Sequence, residues 1–85
     1  MKSFSYVITD NEGIHARPAG ELVKLVKTFE SAVTIGVGGK SAKATKLLAI
    51  MGLGATKGTQ VDFTIDGADE DDACAKLEAF MKENL

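Results

Sequence analysis

The only histidine of the chain, His15, stands two residues before an arginine, Arg17, in the run Gly13-Ile14-His15-Ala16-Arg17-Pro18. An imidazole titrates nearer to neutral pH than any other side chain and can act as a nucleophile. A guanidinium carries a planar fork of donors that matches the oxygens of phosphate. The pattern places both groups where a loop becomes a helix. The first N–H groups of a helix have no intrahelical partner and carry roughly half a positive charge between them. An anion at that spot gains hydrogen bonds and a favourable dipole. A phosphoryl group on His15 would therefore meet the main chain of Ala16 and Arg17 and the Arg17 side chain together. The same positive end favours an uncharged, nucleophilic ring. A solitary histidine at a helix start is, in other settings, a cap or a plain surface residue, and an arginine a solvated charge. The local pattern by itself leaves both readings open.

The elements that must position this pair follow from periodicity. Ser3 to Ile8 alternates, with Phe4, Tyr6 and Ile8 on one face, and reads as a half-buried strand. Thr9-Asp10-Asn11-Glu12-Gly13 is loop chemistry. A helix begins near Ala16, and Pro18 suits its first turn, where an amide donor would be unpaired anyway. Ala19, Leu22, Val23, Val26 and Phe29 recur at helical spacing as its buried stripe. Arg17, Glu21, Lys24 and Thr28 line the outer face, with Lys27 alongside and Gly20 on the exposed side. Val33, Ile35 and Val37 form a second strand, and Gly38-Gly39 signals a hairpin into a third, Lys40 to Ala44. Thr45 is placed to cap a short helix running to about Leu53, ended by Gly52 and Gly54. Val61, Phe63 and Ile65 alternate as a fourth strand. Asp69, Glu70, Asp71 and Asp72 open a last helix, where carboxylates complement the dipole. Its stripe is Ala73, Leu77, Phe80 and Met81, with Cys74 at the edge as a small packing residue. The order βαββαβα suggests an α+β fold: a four-stranded antiparallel sheet with three helices on one face.

Composition narrows the classes. The chain has 85 residues, which fits one compact domain over 1–85. A domain of this size buries roughly 60% of its unfolded surface, leaving little room for a deep catalytic cavity. Ten basic and twelve acidic residues give a net charge of −2, which argues against a nucleic-acid partner. One cysteine and one histidine exclude an internal disulfide and make a protein-only zinc site improbable. No stretch approaches membrane-spanning length, so a cytoplasmic location is the default expectation.

The run Gly13 to Ala19 resembles the active-site signature of the histidine-containing phosphocarrier family, HPr, of the bacterial phosphoenolpyruvate-dependent sugar phosphotransferase system. Leu47-Leu48-Ala49-Ile50-Met51-Gly52-Leu53-Gly54 is similar to that family's second, looser motif, and Ala55 to Gly58 and Gly67 to Glu70 also fit. The resemblance covers essentially the whole chain. It implies an open-faced β-sandwich in which His15 is phosphorylated on Nδ1 by enzyme I. Enzyme I draws the group from phosphoenolpyruvate, and His15 passes it to enzyme IIA proteins or domains that feed sugar permeases. Arg17 would assist transfer. The implied chemistry needs no cofactor or metal, and the chain would carry an intermediate rather than turn over alone, as a monomer in the simplest case.

A carrier that meets several partners needs a modest exposed apolar patch. With Ile50 and Leu53 facing the sheet, Leu47, Leu48 and Met51 fall on another face of the second helix. The resemblance assigns Leu47, Leu48 and Met51 to docking; the plain alternative is that they are core. Lys24 and Lys27 add a positive rim able to steer acidic partners, and Gly20 is either a point of close partner approach or simply a tolerated glycine. One position departs from the family. Many members from low-GC Gram-positive bacteria carry a regulatory serine where this chain has Lys46. Serine-type regulation therefore does not carry over, and the neighbouring Thr45 hydroxyl is read as a cap. Related regulators lose the histidine and keep the serine, and this chain does the reverse. A docking-only regulator or a nitrogen-type phosphotransfer paralogue is the alternative reading.

Overall fold

A computed structural model describes all residues, 1–85. The elements are β1 (Lys2–Val7), α1 (Ala16–Val26), β2 (Ala32–Val37), β3 (Lys40–Lys43), α2 (Leu47–Gly52), β4 (Gln60–Asp66) and α3 (Glu70–Asn84). The sheet is four-stranded with order β1-β4-β2-β3, and every neighbouring pair is antiparallel. β1 and β2 thus run parallel to each other with β4 between them, which is why a helix has to connect them. The expected α+β architecture, an open-faced sandwich of order βαββαβα, is the one found.

Strand alternation decides which face is covered. Phe4 pairs with Phe63, Ile35 with Phe63 and Val33 with Ile65, so these side chains share one face. Phe63, Ile35 and Ile65 are completely buried there, and the Phe4 and Phe63 rings stack with centroids 4.9 Å apart. Ala19, Leu22, Val23 and Val26 of α1, Ile50 of α2, and Ala73, Leu77 and Met81 of α3 complete the same apolar cluster. All three helices therefore lie on one side of the sheet. The other face carries Ser3, Ser5, Thr34, Gln60, Asp62 and Thr64 and is left largely to water.

Several local expectations are corrected. Thr45 does not cap α2. The cap position is Lys46, with no side-chain hydrogen bond, because the Lys46 N–H turns back to the Lys43 carbonyl at 3.0 Å and the Lys46 carbonyl starts the helix by accepting from Ile50. Thr45 lies one residue too early. The helix ends at Gly52, with Gly54 at φ +70° just beyond, a conformation that glycine adopts without strain. α1 stops at Val26, so Phe29 packs half-buried from the following turn rather than from the helix. The Thr28 hydroxyl donates to the Leu25 carbonyl at 2.6 Å and competes with helix continuation. Lys27 is consequently the C-cap residue of α1. Gly20 is half-buried rather than exposed, although a side chain there would meet nothing within 4 Å. On α3, Phe80 is half-buried, and burial, with the Glu78 carboxylate behind it, pushes the Cys74 thiol up. A raised thiol is poorly nucleophilic, in keeping with a packing role.

Asp69 also behaves differently from expectation. Glu70, Asp71 and Asp72 do occupy the first turn of α3. Asp69, at the cap position, makes no capping bond to its own helix. It accepts instead from the Glu30 and Ser31 N–H groups, both at 2.9 Å, and from the Ser31 hydroxyl. The carboxylate thereby ties the start of α3 to the entrance of β2.

Candidate functional site

His15 is the N-cap residue of α1, with extended backbone at φ −111° and ψ −177°. Its carbonyl accepts the first helical bond, from the Ala19 N–H at 3.0 Å. Its side chain makes no capping bond. The first turn also holds no acidic residue. Pro18, third in the helix, has no N–H to satisfy. The donors left at the helix mouth are thus the Ala16 and Arg17 N–H groups, and no protein acceptor takes them. Burying such donors without a partner costs free energy, but both residues are exposed, so water or an anion can reach them.

The ring is accessible, with 38% of the side-chain surface exposed. His15, Arg17, Pro18, Asp10, Glu21 and Asn84 line one shallow pocket of about 220 Å³ with no apolar residue other than the proline in its wall. His15 and Arg17, singled out by sequence, therefore share one polar concavity at a helix N-terminus. Asp10, Glu21 and Asn84 join them. Periodicity put Glu21 on the outer face of α1, but nothing marked Asn84, which arrives from the far end of the chain on α3.

The loop before α1 is held from several sides. Thr9 and Asp10 donate their N–H groups, and Thr9 its hydroxyl, to the Leu85 main-chain oxygen. Ile14 N–H donates to the Ala55 carbonyl at 3.0 Å. Gly13 adopts φ +67°, and a side chain there would run into the Ala55 carbonyl and the Thr56 backbone. Only glycine lets the two loops approach and aims His15 at the helix mouth. Within the loop, Asp10 accepts from the Glu12 N–H through its side chain at 2.8 Å and from the Gly13 N–H through its carbonyl at 3.0 Å.

That turn delivers a residue the sequence reading passed over as loop. The Glu12 carboxylate lies 3.2 Å from His15 Nε2. Donor atoms of Asp10, Glu12 and His15 all fall within 4.8 Å of one another, which makes this the trio able to offer ligands to a divalent cation. The spacing of Glu12 three residues before His15 is the only signal that could have drawn attention to it.

The structure does not gather the docking residues into the pocket. Lys24 is exposed on α1, and Lys27 is exposed at its end. α1 and α2 pack together. On α2, Ile50 is completely buried, as expected, and Leu53 just beyond it is 8% exposed, while Leu48 is 81%, Leu47 38% and Met51 37% exposed. The core alternative for those three apolar residues is not what is found.

A sheet of this topology with an accessible histidine at an open helix start is the arrangement of a phosphocarrier-like α+β protein, and the comparisons specify it. Residues 2–83 match the family model described as the phosphorylation site of the HPr component of the phosphotransferase system. The chain therefore belongs to the HPr family. The histidine-containing phosphocarrier protein of a mycoplasma is similar at 33% identity and a TM-score of 0.92, over 96% of this chain and 93% of that one. HPr from Thermoanaerobacter tengcongensis is similar at 30% identity and 0.91, over 96% and 92%. Crh, a catabolite-repression protein of Bacillus subtilis crystallised as a swapped dimer, is similar at 31% identity and 0.78, over 94% and 92%. No helix is long and apolar enough to cross a membrane.

Proposed function

We propose that this chain is a phosphoryl carrier that accepts the group on His15 Nδ1 from enzyme I and passes it to an enzyme IIA protein or domain for coupled sugar uptake. The observation that carries the reading is the open helix start: two unclaimed N–H groups, an accessible imidazole and a guanidinium around one polar pocket. Phosphoryl transfer asks mainly for in-line positioning and charge stabilisation, and the open helix start with Arg17 beside it is suited to the second. The lone pair of Nδ1 attacks phosphorus, the bond to the donor breaks, and the donor keeps the electron pair. The helix amides and Arg17 neutralise the arriving oxygens. The ring becomes a phosphoimidazolium, a good leaving group, which suits a carrier that must also give the group away. Exposed Leu47, Leu48 and Met51, with Gly20, Lys24 and Lys27 around them, serve as the transient docking surface in this reading. The work is that of a monomer in the cytoplasm.

Incubation with enzyme I and labelled phosphoenolpyruvate should give acid-labile, base-stable label that His15→Ala abolishes. Label that persists in His15→Ala would refute the assignment. The similarity to Crh raises a docking-only regulator as the second reading. His15 with Lys46 at the start of α2, in place of a regulatory serine, favours carriage.

A further inference from the structure

We infer that Glu12 is a positioning residue for His15: its carboxylate holds the ring proton at Nε2, so that the lone pair stands at Nδ1, and then offsets the positive charge of the phosphorylated ring. The inference rests on the phosphocarrier reading and adds a residue to it.

Two observations on this chain lead here. The Glu12 carboxylate is 3.2 Å from Nε2, at ion-pair distance, and the His15 side chain caps no backbone N–H. An anion beside one ring nitrogen favours the tautomer that carries its proton there, and the other nitrogen then keeps the lone pair. Second, the Glu12 main chain is held there. Its N–H is fixed by the Asp10 side chain at 2.8 Å, and the Gly13 N–H closes the same turn on the Asp10 carbonyl. The turn is in turn pinned by the Leu85 main-chain oxygen and by Ala55. The carboxylate thus leaves a braced turn, which limits its reach to the neighbourhood of the ring.

The role differs from that of the helix mouth. Ala16, Arg17 and the guanidinium meet the phosphoryl oxygens, whereas Glu12 meets the far nitrogen of the ring. When Nδ1 attacks, the P–donor bond breaks and the proton stays on Nε2, so the imidazolium charge appears next to the Glu12 carboxylate. On transfer onward the P–Nδ1 bond breaks, its electron pair returns to Nδ1, and the ring is again neutral with Nε2–H. Glu12 neither takes nor gives a proton.

Long-range 1H–15N spectra of the neutral ring distinguish the tautomers, and the enzyme I and phosphoenolpyruvate assay gives the rate. For the unmodified chain the Nε2–H form should dominate. In Glu12→Ala the tautomers should mix and the rate fall about threefold to tenfold, the scale of an exposed charge pair acting on one proton. Glu12→Gln keeps an acceptor but not the charge, and should retain the tautomer with an intermediate rate. Thermal stability should not move in either variant, because the Glu12 side chain is 74% exposed. An unchanged tautomer in Glu12→Ala, or a changed tautomer with an unchanged rate, overturns the assignment to Glu12 alone. Absence of label on the unmodified chain would instead sink the phosphocarrier reading.

Discussion

Helices α1 and α3 begin in opposite ways. The first turn of α3 is filled by the chain's own charge: Glu70, Asp71 and Asp72 stand at the positive end of the dipole, and Asp69 at the cap position is engaged with Glu30 and Ser31. The first turn of α1 has no acidic residue, its cap residue makes no side-chain capping bond, and two N–H groups are left without an acceptor. The physical resource is the same at both places, a helix N-terminus that attracts negative charge. At α3 it is consumed internally, in holding the fold together. At α1 it is left open beside the His15 imidazole, where the proposed function seats the phosphoryl group. Neither cap residue's side chain bonds its own helix; what separates the two starts is the acidic first turn of α3, which α1 lacks.

The largest expected effect comes from making α1 resemble α3. Ala16→Asp puts a carboxylate in the open first turn, where the residue is exposed and a new side chain is tolerated. Transfer from enzyme I should fall at least about tenfold, while stability stays level or rises by about 0.3–1 kcal/mol through the dipole. Transfer kinetics and a thermal melt read the two effects separately; unchanged transfer would show that the helix mouth is not the phosphoryl seat.

The converse change, Asp69→Ala, should lower the melting temperature and leave transfer kinetics near those of the parent. The Ser31 hydroxyl, followed by the Glu30 amide, holds the Asp69 carboxyl below its ordinary value. The clamp therefore stabilises fully above the unfolded carboxyl value of about 3.9 and fades as pH falls through the lower folded value. Melts across acid pH should lose part of their pH dependence in Asp69→Ala. An identical acid profile would remove the clamp from the account.

A smaller effect on stability is expected at α2. Leu47→Ser with Met51→Ser should weaken binding to enzyme I about tenfold while costing about 1 kcal/mol or less, since both side chains are more than a third exposed. Isothermal titration and thermal melts check this, and a large loss of stability with intact binding would return these residues to the core.

Much of this was legible in the sequence, and the misses have physical causes. Alternation at Val61, Phe63 and Ile65 and helical spacing at Leu22, Val23 and Val26 gave the right faces, because burial dictates period. The junction at His15 was legible because a glycine, a proline and a polar loop bracket it. Cap and clamp chemistry was not. Whether Thr45 or Lys46 precedes α2 depends on a turn closed by the Lys43 carbonyl. Asp69 is captured by Ser31, 38 residues earlier, and no local pattern encodes that pairing. Glu12 lay hidden for the same reason: its position at the imidazole depends on a turn braced by Leu85 and Ala55, which are distant in sequence.

The most direct test of the open helix start is the behaviour of its two amides when the ring is loaded. In 1H–15N spectra recorded before and after phosphorylation with enzyme I and phosphoenolpyruvate, the Ala16 and Arg17 N–H resonances should show the largest downfield shifts in the chain, because they become donors to phosphoryl oxygens. The α3 amides should stay in place. Phosphorylation of His15 that leaves Ala16 and Arg17 unmoved would contradict the account.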